Sequence, residues 1–123
     1  MPAIARLSLV AIDCPDPAVL AAFYAAVTGW EIVLSEHTDW VQLRSDVGAT
    51  IAFQQVNEYV APVWPGHHHP QQMHLDFDVS DLDAGERAVL DIGARKATLQ
   101  PDPSFRVFLD PAGHPFCLVL ADR

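Results

Sequence analysis

The chain has 123 residues, half of them hydrophobic, and a formal net charge of −9. That length sets one compact domain as the expectation, and that apolar share is enough for a core. The acidity excludes a nucleic-acid or anionic-lipid surface built on clustered Lys and Arg, and it fits a role in solubility.

No stretch has the basic start, apolar run and small-residue cleavage site of a secretion leader. None approaches the roughly 18 apolar residues that would span a membrane. Cys14 and Cys117 are too few for a disulfide framework. A cytoplasmic protein with reduced thiols is therefore expected, with no nucleic-acid or membrane partner.

The first element is a strand over Ile4–Asp13, with Val10 and Ile12 on one face and Leu7, Leu9 and Ala11 on the other. Asp16 then reads as a helix N-cap, with Pro17 at the first helical position, where its missing N–H costs nothing. Leu20, Phe23, Tyr24 and Val27 follow at helical spacing and form one apolar stripe. Phe23 and Tyr24 are read as core. Gly29 closes the helix. Strands are expected at 31–36, 39–45 and 50–56, with Asp46, Val47 and Gly48 as a turn.

Residues 57–72 are rich in Pro, His and Gln and read as a linker. A strand follows at 73–80, alternating Leu75, Phe77 and Val79 against His74, Asp76 and Asp78. Asp81 caps a second helix carrying Leu82, Val89 and Ile92, which Gly93 ends. Strands are expected at 94–99, 105–109 and 115–120, with the turn Asp110–Gly113 between the last two.

The second half therefore restates the first. An offset of 65 (74 − 9) relates Leu9 to His74, Asp16 to Asp81, Trp40 to Phe105 and Gly48 to Gly113. From Trp40 to Gln54 and from Phe105 to Val119 the match needs no gap. A chain with such self-similarity is two copies of one supersecondary unit. Residues 1–56 form the first βαβββ module, 57–72 the linker and 73–123 the second module, within one domain spanning 1–123. Consecutive strands after each helix indicate α+β with antiparallel or mixed sheets and helices outside.

These stretches resemble the vicinal oxygen chelate superfamily, which includes glyoxalase I, bleomycin-resistance proteins and extradiol dioxygenases. More narrowly they resemble its small glyoxalase-like domains. The resemblance rests on Asp16-Pro17, Phe23-Tyr24 and Gly29-Trp30 in the first half. In the second half it rests on His74-Leu75-Asp76, Asp81-Leu82-Asp83, Gly93-Ala94 and the run from Asp110 to Phe116. It implies paired modules whose curled sheets form a cup that holds a ligand. It also implies a homodimer, since many relatives complete the cup across two chains.

Parity assigns the faces of each strand. Leu75, Phe77 and Val79, like Ile51 and Phe53, should pack on the helix. The cup face then receives His74, Asp76 and Asp78, together with Leu7, Leu9, Ala11 and Asp13. It also receives Ala52, Gln54, Cys117 and Val119, and the sets Trp40, Gln42, Arg44 and Phe105, Val107, Leu109. Arg106 fits this scheme poorly: parity directs it to the helix side, and it is read as lying near a strand end.

In metal-using relatives the resemblance places ligands at the positions of Leu9, Ala52, His74 and Cys117. Only His74 keeps the family's residue type. Leu9 and Ala52 have no side-chain donor, and Cys117 stands where a hard carboxylate is usual, which changes the preferred ion. A single His and a single Cys fall short of the three or four protein ligands of a zinc site. The metal site is read as dismantled, so no cofactor and no metal ligand is assigned.

His74 is the candidate acid/base or binding residue, oriented by Asp76. Trp40, Gln42, Arg44, Gln54, His74, Asp76, Phe105 and Cys117 are the candidate ligand-binding residues. Arg44 has the fork geometry for an anion, while Asp76 and Asp78 oppose a small polyanion. His67, His68 and His69 are read as an exposed loop, because adjacent residues of an extended chain point in different directions. Cys117 is read as inert, since burial raises a thiol's pKa. The expectation is a binder of a small organic molecule that sequesters or senses it. The alternative is a lyase or dioxygenase-type enzyme, using either a displaced divalent metal or a metal-free His74.

Overall fold

The computed structural model describes residues 3–121. The first series of elements is β1 (Leu9–Cys14), α1 (Pro17–Thr28), β2 (Glu31–Leu34), β3 (Trp40–Arg44) and β4 (Thr50–Gln55). The second is β5 (Leu75–Val79), α2 (Leu82–Asp91), β6 (Arg95–Lys96), β7 (Phe105–Leu109) and β8 (Pro115–Leu120). The fold is α+β, two βαβββ modules in chain order. They form two compact units, Met1–Tyr59 and Val60–Arg123.

The two sheets share one topology, β1-β4-β3-β2 and β5-β8-β7-β6. In each, the first strand pairs parallel with the last and the other pairs are antiparallel. The repeat extends to the register. Val10 lies opposite Ile51 as Leu75 lies opposite Phe116, and Trp40 opposite Gln54 as Phe105 opposite Val119. Only β2 and β6 break the offset. Glu31 pairs with Arg44 and Arg95 with Leu109, so this strand is shifted by 64 (95 − 31) while its neighbour keeps 65 (109 − 44). The residue is lost between the helix start, where Asp16 and Asp81 keep 65, and the left-handed glycine after it, since Gly29 and Gly93 are 64 apart (93 − 29).

Both helices begin as the sequence predicts. Asp16 Oδ1 accepts the Ala18 and Val19 N–H groups at 3.1 and 3.4 Å, and Asp81 Oδ1 accepts that of Ala84 at 3.0 Å. These bonds satisfy donors that the first helical turn leaves orphaned. On α1, Leu20, Phe23 and Tyr24 are buried, and Tyr24 stacks on Phe53 of β4 with ring centroids 5.7 Å apart. In the second unit Phe116 stacks on Phe108 at 5.8 Å and meets Phe77 edge-on at 6.1 Å.

β3 and β4 are trimmed by one residue at their ends, and β5 runs Leu75–Val79 where 73–80 was expected, which leaves His74 just before the strand. Four further positions differ for reasons that the contacts show. β1 starts at Leu9, not Ile4, because its parallel partner begins at Thr50 and offers earlier residues no ladder. Leu7 is consequently 66% exposed. β2 stops at Leu34, where the Ser35 hydroxyl accepts the His37 N–H and bends the chain. β6 has only two residues. Beyond it Gln100 takes over the ladder: its Oε1 accepts the Val107 N–H at 2.9 Å and its Nε2 donates to the Val107 carbonyl at 2.9 Å. Ile92 is the α2 C-cap and is exposed, so Val89 is the residue of that helix that is fully buried.

The Asp110–Gly113 turn is held by a buried carboxylate. Asp110 Oδ1 accepts the Ala112 and His114 N–H groups, both at 2.9 Å, and Oδ2 lies 2.8 Å from His114 Nδ1. Gly113 is required there twice over. Its φ is +92°, and a Cβ would lie 2.9 Å from the Ala61 Cβ.

Candidate functional site

In the second unit the sheet face away from α2 carries a small core of Ala97, Val107, Cys117 and Val119. Trp64 and Phe105 pack against it, half-buried. Beside this cluster lies a cavity of about 390 Å³, inside the range of small-molecule sites. Apolar walls come from Trp64, Phe105, Val107 and Val119, and polar groups from Gln71, His74, Asp76 and Ser104.

The strands explain how the polar groups meet. Asp76 and Cys117 are register partners on β5 and β8, so their side chains share a face. His74 lies one residue before β5 and reaches Asp76 from the end of the loop. His74 Nδ1 stands 3.0 Å from Asp76 Oδ1, both residues being about two-fifths exposed. Donor atoms of His74, Asp76 and Cys117 all lie within 4.8 Å of one another. Burial pushes the Cys117 thiol up to about 11, and the Asp76 carboxylate, by its charge and a hydrogen bond, adds to the shift. The resting thiol is therefore protonated and a poor nucleophile.

Of the residues singled out from sequence, His74, Asp76, Phe105 and Cys117 line this one cavity. Trp40, Gln42, Arg44 and Gln54 occupy the equivalent face of the first unit. There Trp40 lies opposite Gln54, and its Nε1 donates to Gln42 Oε1 at 3.4 Å. The Arg44 guanidinium is paired with Glu31, its cross-strand partner, in an exposed ion pair. The three consecutive histidines are exposed. The His69 carbonyl accepts the Val63 N–H, closing a loop.

Sequence reasoning missed Trp64 and Gln71, which lie in the stretch read as a linker yet form cavity wall. A tryptophan flanked by Val63 and Pro65, next to Val60 and Ala61, was the available signal. Arg106 does face the helix side, as parity required. It reaches Asp83 at 2.8 Å and Glu86 at 3.4 Å on α2, and Lys96 reaches Glu86 at 2.9 Å. A cation on the packing face of β7 is thus explained by acidic residues on the helix.

The profile of the family described as "Glyoxalase-like domain" matches residues 9–119. The chain belongs to that family, within the vicinal oxygen chelate superfamily. Solved structures agree on the fold. A glyoxalase/bleomycin resistance protein/dioxygenase family enzyme from Burkholderia phytofirmans PsJN superposes with a TM-score of 0.70 at 22% identity, covering 95% of this chain and 99% of that one. A possible glyoxalase from Bacillus cereus gives 0.70 at 12% identity, over 95% and 99%. A glyoxalase/bleomycin resistance protein from Albidiferax ferrireducens T118 gives 0.65 at 20%, over 94% and 98%. No curated protein matches the chain closely enough to lend it an activity.

The resemblance implies metal-ligand positions at Leu9, Ala52, His74 and Cys117. Leu9 and Ala52 carry no donor atom, so the residues present do not fit that four-ligand centre. No helix among the described residues is long and apolar enough to cross a membrane.

Proposed function

We propose that this protein binds a small organic molecule in the cavity of its second module, to sequester or sense it. The observation that carries the reading is the lining. Two aromatic side chains, Trp64 and Phe105, and several polar groups line one cavity of about 390 Å³. Asp76 is the lining carboxylate and no lining residue is Lys or Arg, so a neutral, zwitterionic or cationic ligand is favoured over an anion. The aromatic faces suit a flat or cationic group. The family's cup, completed in many relatives by a homodimer, supports the same assignment. Oligomeric state is then part of the reading.

The test is a thermal-shift screen of small aromatic amines, amino acids and neutral heterocycles, with hits repeated on Phe105→Ala and His74→Ala proteins. Binding raises the melting temperature by mass action. Hits weakened in both variants support the reading. Hits that survive both at full strength place the ligand elsewhere and end it.

A second reading has its own observation. The 3.0 Å contact between His74 and Asp76 at the cavity wall is the arrangement of an oriented imidazole base. In that case turnover falls in His74→Ala while binding of the same compound persists.

A further inference from the structure

The wall of the second module's cavity has spent its hydrogen-bond donors and kept its acceptors. We propose that it selects organic cations that donate N–H bonds (primary amines, amidines and guanidines on a flat apolar body), with Asp76 and Gln71 receiving those bonds. Quaternary cations and neutral acceptors of the same shape are refused. The inference rests on the ligand-binding reading above and names the class of ligand within it.

The donors are accounted for one by one. The Ser104 hydroxyl donates to Asp102 Oδ1 at 2.6 Å, so its oxygen has only lone pairs left to offer. The Cys117 thiol, which holds its proton, is hydrogen-bonded to Asp76. His74 Nδ1, 3.0 Å from Asp76 Oδ1, donates its N–H to that carboxylate, which leaves Nε2 of the neutral ring as an acceptor. All of these residues but Asp102 line the cavity. A carboxylate has roughly four acceptor sites. The thiol and the imidazole leave about half of those on Asp76 for a ligand.

Gln71 supplies an independent observation. It lines the same cavity, and its Oε1 is closed to water and has no hydrogen-bond partner among the described residues. A buried acceptor left without a donor is costly. Turned toward the cavity that its side chain lines, this oxygen would accept an N–H from the ligand. A ligand that is itself an acceptor offers it nothing.

The N–H groups that remain in the wall, on Trp64 and the Gln71 amide, are uncharged, and no Lys or Arg lines the cavity. Charge and aromatic faces alone would admit a quaternary ammonium. Such an ion cannot satisfy the unused acceptors, and it desolvates them without return.

The experiment is isothermal titration calorimetry of the full-length protein with three probes of similar size. Benzamidine has both charge and N–H groups, benzyltrimethylammonium has charge alone, and acetophenone has neither. Benzamidine is expected to bind at least about tenfold more tightly than either, the scale of one hydrogen bond to a charged group. This comparison uses the unsubstituted chain and needs no variant to fold. Gln71→Met, which keeps the length of the side chain without its acceptor, should weaken benzamidine about tenfold and leave benzyltrimethylammonium unchanged. Equal affinity for the two cations, or tightest binding of acetophenone, overturns the inference and leaves the cavity reading standing. Benzamidine binding undiminished in Gln71→Met overturns it too, as does no binding of benzamidine at millimolar concentration. The cavity reading fails by a different result, screen hits that survive both Phe105→Ala and His74→Ala.

Discussion

The two modules share a topology and nearly all of one register, yet they have spent their equivalent positions differently. On the helix side they agree. Phe53 and Leu118 are equivalent (118 − 53 = 65), and both are buried against their own helices' side of the sheet. Tyr24 and Val89 are equivalent and buried too. On the opposite face they part company. Leu9, Ala11 and Ala52 of the first module correspond to His74, Asp76 and Cys117 of the second. One copy retains only hydrocarbon where the other keeps an imidazole, a carboxylate and a thiol. A duplicated scaffold can therefore hold its fold constant while its chemistry collects in one half, because in a strand alternate side chains answer to different constraints.

The largest expected effects test whether the two cores are equivalent. Phe53→Ala removes a ring with 0% exposure that stacks on Tyr24 and should cost about 3–5 kcal/mol. Leu118→Ala, at 2% exposure, should cost about 2–5 kcal/mol. Urea unfolding measures both. A loss below 1 kcal/mol at either site would show that one module is not packed as the repeat demands.

A smaller effect separates the two turns. Gly48 and Gly113 are equivalent, with φ of +110° and +92°. A Cβ at Gly48 meets nothing within 4 Å, whereas one at Gly113 meets Ala61 at 2.9 Å. Both alanine variants carry backbone strain of about 1–3 kcal/mol. Gly113→Ala should be the more damaging, since it also displaces the segment that carries Trp64 to the cavity. Equal losses in melting temperature, with the ligand responses of the screen unchanged, would mean that this segment is not anchored through the turn.

Much of this was legible in the sequence because periodicity and capping are local. The offset of 65 fixed which strands correspond, Asp16 and Asp81 marked both helix starts, and strand parity put Asp76 and Cys117 on one face. What escaped was non-local. The start of β1 depends on where its partner begins, which composition does not reveal. The early end of β6 depends on the Gln100 side chain substituting for backbone ladder bonds. Trp64 and Gln71 were hidden in a stretch whose prolines and histidines look like a linker, although a tryptophan so placed needs apolar cover. Asp76 was read as the partner of His74. Its position beside Cys117 follows only once β5 and β8 are seen to pair in parallel.

The smallest effect concerns how the second module packs its helix. Arg106, Glu86 and Asp83 correspond to Val41, Ala21 and Ala18, so the second copy has an ion-pair network where the first has only apolar side chains. The Arg106 guanidinium, first by its hydrogen bond and then by its charge, holds the Asp83 carboxyl below the usual carboxylate value near 3.8. A lowered folded-state pKa gives stability that is present above the unfolded value and is lost as pH falls through the folded one. The urea midpoint of the unsubstituted protein should therefore fall more steeply below about pH 4 than that of Arg106→Val, which imitates the first module. Because the pair is exposed at Asp83, the gap at neutral pH should be small and should shrink further in high salt. A gap that salt does not reduce would assign the role of Arg106 to its packed aliphatic stem instead of its charge. The two modules would then differ in the residue used on this face but not in the kind of contact.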